Sequence, residues 1–128
     1  MLRIAASLGD VELWACTQSF ADAEHILRRA VPTSTLRNMM NGCLSFLHVA
    51  APSEKALSAG LQSDWLDLED FRIAQCAHEQ GAHYLITRDV KGFAKSRIPV
   101  KTPHEFLQFA EKELCITYES TNCLGSDV

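Results

Sequence analysis

Asp67-Leu68-Glu69-Asp70-Phe71-Arg72-Ile73-Ala74-Gln75-Cys76-Ala77, followed a turn later by Tyr84-Leu85-Ile86-Thr87-Arg88-Asp89, decides the fold. Asp67 and Asp70 are i,i+3 neighbours on one helix face. Phe71, Ile73, Ala74 and Ala77 form an apolar stripe that can lie on a sheet. Gly81 ends the helix, and His83 to Thr87 is a short apolar segment with the character of a buried strand. Acidic groups in a first helical turn are favoured by the helix dipole and by unbonded N–H groups, which by itself accounts for Asp67 and Glu69. Asp89 falls beyond the carboxyl end of the strand, where α/β proteins build their sites and where an Asp also serves as an ordinary turn residue.

The whole chain has 128 residues, 47% hydrophobic, and a net charge of −4. That length supports one domain with a sizeable core, expected over 1–114, followed by a polar tail over 115–128. The negative charge argues against indiscriminate nucleic-acid binding through bulk charge, though not against a local basic surface. Cys16, Cys43, Cys76, Cys115 and Cys123 are odd in number and form no CxxC pair, which fits free thiols in a reducing compartment. With no signal peptide and no apolar run of about 18 residues, a cytoplasmic protein with no membrane partner is expected.

From the start of the chain, Met1 to Leu8 reads as the end of a helix stopped at Gly9-Asp10, and Val11 to Cys16 as a strand. Ser19-Phe20-Ala21-Asp22 has capping-box spacing with Asp in place of Glu, so on its residues alone Asp22 is a cap partner. A helix capped by Thr33 or Ser34, an edge strand over 47–51 and a helix from Ser53 to about Leu61 follow. After Asp89 come a loop, a short strand at Ile98 to Val100, and a helix from Pro103 to about Leu114, with Thr102 before Pro103 as its start. Alternating short strands and helices predict an α/β fold with a parallel sheet.

The order and spacing of Asp67-Leu68-Glu69-Asp70, the Ala-rich helix, Gly81 to Asp89, Phe93, and Ile98-Pro99-Val100-Lys101-Thr102-Pro103-His104-Glu105-Phe106-Leu107 resemble the C-terminal half of a PIN-domain nuclease. Gly9-Asp10-Val11-Glu12-Leu13-Trp14 with Ser19 to Glu24 resembles the family's second strand and following helix, so the likeness covers about residues 1 to 110. It implies a three-layer PIN-like domain with a short parallel sheet flanked by helices. It further implies a Mg²⁺- or Mn²⁺-dependent endoribonuclease, as in the VapC-like toxins of bacterial toxin–antitoxin pairs. By the same resemblance Asp22, Asp70 and Asp89 take the catalytic, metal-holding positions, with Asp67 as a further metal candidate and Glu69 beside it. The partners implied are RNA and an antitoxin protein.

The sequence departs from the family in two places. The family opens with an apolar strand ending in Asp, and this chain has no such segment, so the first central strand and the first metal-site Asp are missing. Gly92 stands where the family often has Asp before the residue matching Phe93. The absent strand would leave the strands at 11–16 and 83–87 with facing unpaired edges, each buried unsatisfied group costing about 1–3 kcal/mol. Three closures are expected: direct pairing of those two strands, a strand lent by a second chain, or an incomplete gene start. A truncated reading frame with homo-oligomeric association is the favoured one, and activity below that of a complete family member follows from it.

Two carboxylates 4 Å apart repel by roughly 4 kcal/mol at an effective dielectric of 20. A bound cation relieves that repulsion, and all-oxygen ligands suit Mg²⁺ or Mn²⁺. From Arg88 to Lys101 the basic residues Arg88, Lys91, Lys95, Arg97 and Lys101 face one acid, Asp89, a surplus able to hold RNA phosphates beside the site. The five histidines show no consistent metal spacing, and Trp14 and Trp65 read as packing residues. The alternative function is a catalytically inactive PIN-like module that binds RNA or an antitoxin.

Overall fold

Alternating strands and helices give the α/β architecture expected, seen in a computed structural model that describes residues 9–115. In order these are β1 (Leu13–Cys16), α1 (Thr17–Leu27), α2 (Thr33–Cys43), β2 (Leu47–Ala50), α3 (Glu54–Leu61), α4 (Leu68–Glu79), β3 (Leu85–Ile86), β4 (Val100–Lys101) and α5 (Pro103–Glu113). The helix end expected over 1–8 and the tail from Tyr118 lie outside the described residues.

Side-chain caps start three of the helices. The Ser53 hydroxyl accepts from the Ala56 N–H at 3.0 Å, the Asp67 carboxylate caps α4, and Thr102 forms a capping box with Glu105, ahead of Pro103 in the first turn of α5. The Thr102 hydroxyl accepts from the Glu105 N–H at 3.1 Å, and the Glu105 carboxylate accepts from the Thr102 N–H at 3.1 Å. Thr102→Ala is expected to lower stability by about 1 kcal/mol, measured as a shift in urea midpoint.

The other two helices start differently from the sequence expectation. α1 begins at Thr17 directly from the extended Cys16 that ends β1, so Ser19 and Asp22 lie inside the helix and form no capping box. α2 begins at Thr33 from Pro32, whose φ of −54° and ψ of 141° make the boundary, and neither Thr33 nor Ser34 is the cap. Gly81, with φ of +70°, turns the chain out of α4 as expected.

The single sheet is replaced by two parallel ribbons. β1 pairs with β2 in the register Leu13↔Leu47 to Cys16↔Ala50, and β3 pairs with β4 at Leu85↔Val100 and Ile86↔Lys101. Among the described residues no ladder joins β1 to β3, so the direct pairing offered as one closure of the missing strand does not occur. β3 is shorter than the expected 83–87, yet its ladder extends beyond its ends: the Leu85 N–H donates to the Pro99 carbonyl at 2.9 Å and the Thr87 N–H to that of Lys101 at 3.0 Å.

The helix α4 ties the two ribbons together. On one side its buried Cys76 lies beside buried Cys16 at the end of β1. Burial first, and then the Cys16 thiol, push the Cys76 thiol up to about 11, so it stays protonated and unreactive at neutral pH. On the other side Ala74 packs with Leu85 of β3 and with Phe93, and Trp65, Ile73, Ala77, Ile98 and Val100 surround them. Trp65 meets Phe71 and Phe93 edge-on, with centroids 5.6 and 6.2 Å apart, as a packing residue should. Tyr84, Phe106 and Phe109 hold α5 against the second ribbon, and the Lys101 ammonium lies 5.3 and 5.0 Å from the Tyr84 and Phe109 centroids.

Candidate functional site

The acidic end of α4 is built by its own cap. Asp67 Oδ1 accepts from the backbone N–H of Glu69 at 2.8 Å and of Asp70 at 3.1 Å, which fixes the first turn. Asp70 is half-buried in that turn, while Asp67 and Glu69 are exposed. Asp67 therefore serves the helix start, as the chemistry of a first turn predicts.

Asp89 comes from the turn after β3. Its N–H donates to Thr87 Oγ1 at 3.1 Å, and its Oδ1 accepts from the Gly92 N–H at 3.1 Å, closing an Asx-type turn over residues 89–92. Gly92 lies against both carboxylates. A Cβ built on it would stand 2.5 Å from Asp89 Oδ2 and 2.9 Å from Asp70 Oδ2. The two oxygens therefore point at one small space, and their separation is no greater than the sum of those distances.

Asp22 approaches from α1. Its Oδ1 accepts from Gln18 Nε2 at 3.0 Å, and Gln18 Oε1 accepts from Arg72 Nη1 of α4 at 3.4 Å. Arg72 Nε is buried and has no hydrogen-bond partner among the described residues. Gln18 and Arg72 thus couple α1 to α4 and steer Asp22. Sequence reasoning missed both, although Gln18 and Asp22 stand at i,i+4, a spacing that favours this contact.

The electrostatics tie these acids to Asp70. Burial pushes the Asp70 carboxyl above its ordinary value, and the charges of Asp67, Asp89, Glu69 and Asp22 push it further, in that order. Asp22 is the weakest of the four influences. Among the described residues no group of three or more His, Cys, Asp or Glu side chains is drawn together tightly enough to hold a metal ion, so the close approach is the pair Asp70–Asp89. Such a pair fits Mg²⁺ or Mn²⁺, which take one or two protein carboxylates and fill their other positions with water and phosphate oxygens. The space a Cβ at position 92 would fill is the observation that supports the fit.

Of the five basic residues, Arg88, Lys91 and Arg97 are exposed, Arg88 and Lys91 flank Asp89 in the chain, and Arg97 precedes β4, at the amino-terminal end of the second ribbon. Lys95 is drawn the other way: its ammonium lies 2.9 Å from Asp64 Oδ2 and donates to the Asp64 carbonyl at 3.0 Å. The hydrogen bond from Lys95, with its charge, holds the exposed Asp64 carboxyl below the usual range.

The family model described as PIN domain matches residues 1–91, which takes in Asp22, Asp70 and Asp89 and stops before the Ile98–Leu107 segment. No curated protein and no solved structure matches the chain. No described helix is long and apolar enough to cross a membrane.

Proposed function

The chain belongs to the PIN-domain family, and from that premise we propose that it is a Mg²⁺- or Mn²⁺-dependent endoribonuclease working at the rim where α4 begins and β3 ends. The observation that carries this reading is the convergence of Asp70 Oδ2 and Asp89 Oδ2 on the space over Gly92. Asp70 and Asp89 would hold the cation, with Asp22 and Asp67 as outer acidic groups. A bound cation supplies charge neutralisation for the scissile phosphate and a more acidic water. The protein's own part is positional: the Gly92 N–H fixes Asp89, the Asp67 cap fixes the turn carrying Asp70, and Gln18 fixes Asp22. Arg88, Lys91 and Arg97 would bind RNA phosphates on either side, with Lys95 contributing only when it leaves Asp64.

A toxin role, with an antitoxin polypeptide or a second copy of the chain as partner, is the finer part of this proposal. Its support is the large apolar side chains left on the surface of α1 and α2, such as Ile26 at 71% and Met39 at 60% exposure. A cytoplasmic location belongs to the same reading and is supported by the free thiols of Cys16, Cys43, Cys76 and Cys115.

Incubation of the protein with a panel of single-stranded RNAs tests the reaction. The expected result is cleavage that requires Mg²⁺ or Mn²⁺ and stops in excess EDTA; intact RNA in every metal condition overturns it. One observation favours a second reading, an inactive RNA- or antitoxin-binding module: among the described residues the close acidic group is a pair rather than a larger cluster. Retarded migration or raised fluorescence anisotropy of intact RNA, with no cleavage, would select that module.

A further inference from the structure

We infer that the indole of Trp14, backed by His48, is a stacking platform for one base of the single-stranded RNA bound at the acidic rim, an inference that rests on the proposed ribonuclease activity. Trp14 lacks the packing role its sequence suggests: it is 42% exposed, whereas Trp65 sits edge-on to Phe71 and Phe93. His48 is exposed as well. The two residues are partners in the β1–β2 register, with ring centroids 4.9 Å apart and planes 26° from parallel. The indole N–H donates to Glu12 Oε1, which fixes the orientation of the ring. An exposed aromatic surface already held in one orientation receives a base at little cost in side-chain entropy.

Charge and size favour a base as the group that lands here. An open hollow of about 270 Å³ lies beside the pair, with Asp10, Glu12, Phe46 and His48 among its lining residues. Its two carboxylates repel a phosphate, while the uncharged face of a base escapes that penalty. Its volume lies below the roughly 300–1,000 Å³ of pockets that enclose drug-sized ligands, which suits a single base. Stacking on an aromatic ring is open to every base, because each has a π-face.

Position ties the platform to the acidic rim. Trp14 lies in β1, which ends at Cys16 and passes directly into α1, with Asp22 in the second turn of that helix. Strand and helix rises put the Cα atoms of Trp14 and Asp22 at most about 16 Å apart. A few nucleotides span that distance. Asp10 and Glu12 precede Trp14 in the chain, so their charges turn the RNA backbone the other way, toward α1 and the rim. There Arg88 and Lys91, on either side of Asp89, can receive its phosphates.

The test uses the full chain and compares the wild type with Trp14→Ala and Trp14→Phe. KM and kcat are measured on a short single-stranded RNA, with Kd in their place where RNA is bound and not cut, alongside urea midpoints and tryptophan fluorescence. Trp14→Ala is expected to raise KM or Kd about tenfold, with kcat and the urea midpoint near those of the wild type, and Trp14→Phe to recover part of the affinity. RNA should quench the fluorescence of the wild type and leave that of Trp14→Phe, which retains Trp65, unchanged. Unchanged KM in Trp14→Ala, or a fall in kcat alone, overturns the platform and leaves the ribonuclease reading standing. Unchanged RNA affinity with weakened binding of an arginine-rich peptide also overturns it and assigns the ring pair to a protein partner. A wild type that neither binds nor cuts RNA overturns both readings. Should Trp14→Ala not fold, the fluorescence comparison decides: quenching that persists in Trp14→Phe overturns the platform, and quenching confined to the wild type supports it.

Discussion

Asp70→Asn is expected to lower divalent-cation-dependent RNA cleavage about a hundredfold at saturating Mg²⁺, roughly 2.7 kcal/mol of transition-state stabilisation. Asparagine keeps the size of the side chain and its place in the first turn of α4, where the Asp67 cap bonds to the backbone rather than to the carboxylate. What it removes is the charge that faces the space shared with Asp89. Stability should move the opposite way. Burial and four neighbouring acids raise the Asp70 carboxyl above its ordinary value of 3.8. A carboxyl with a raised folded-state pKa favours the folded chain below its unfolded pKa, and that contribution is lost as the pH rises through the folded pKa. At neutral pH in EDTA, ionised Asp70 therefore weighs against folding, and Asp70→Asn is expected to melt higher than the wild type. The gap should close as the pH falls through the raised Asp70 pKa. An active Asp70→Asn, or one that melts lower in EDTA at pH 7, contradicts the account. Such opposition between activity and stability is the common signature of a functional site.

Phe93→Ala is expected to cost about 3–5 kcal/mol, a large part of the stability of a domain this size. Phe93 is 6% exposed and packs with Ala74 of α4 and Leu85 of β3, with Trp65 edge-on. It is thus the joint between the helix carrying Asp70 and the turn carrying Asp89. Removing its ring leaves a cavity that these elements cannot close without tilting α4 against β3. Urea unfolding measures the effect: a loss under about 1 kcal/mol would mean that the site is held by something other than this cluster. Cation affinity should fall with it, because Phe93 directly follows the Asp89–Gly92 turn.

The parts of the fold that were legible from sequence are those set by local chemistry. Asp67 as the start of α4, Thr102-Pro103 as the start of α5, and Gly81 as the end of α4 each depend on a few neighbouring residues. The starts of α1 and α2 were misread because Ser19, Thr33 and Ser34 are good caps in isolation, whereas the extended Cys16 and Pro32 enter the helices without a side-chain cap. Division of the sheet into two ribbons depends on contacts far apart in sequence, which α4 mediates through Cys76 on one side and Ala74 on the other. At the site, the family likeness named Asp22, Asp70 and Asp89. It could not rank them, because the ranking comes from Gly92 beneath one pair and from Gln18 and Arg72 behind the third. Lys95 illustrates the same limit: its basic neighbourhood suggested phosphate, and its nearest acid in space is Asp64.

The most direct test of a cation held between the start of α4 and the turn after β3 is paramagnetic broadening of the amide spectrum by substoichiometric Mn²⁺. Signals of residues 69–71 and 88–93 should broaden first and Asp22 next, with those of β2 and the far end of α5 staying sharp. Broadening centred elsewhere, or none at Mn²⁺ concentrations that saturate the protein, would contradict the account.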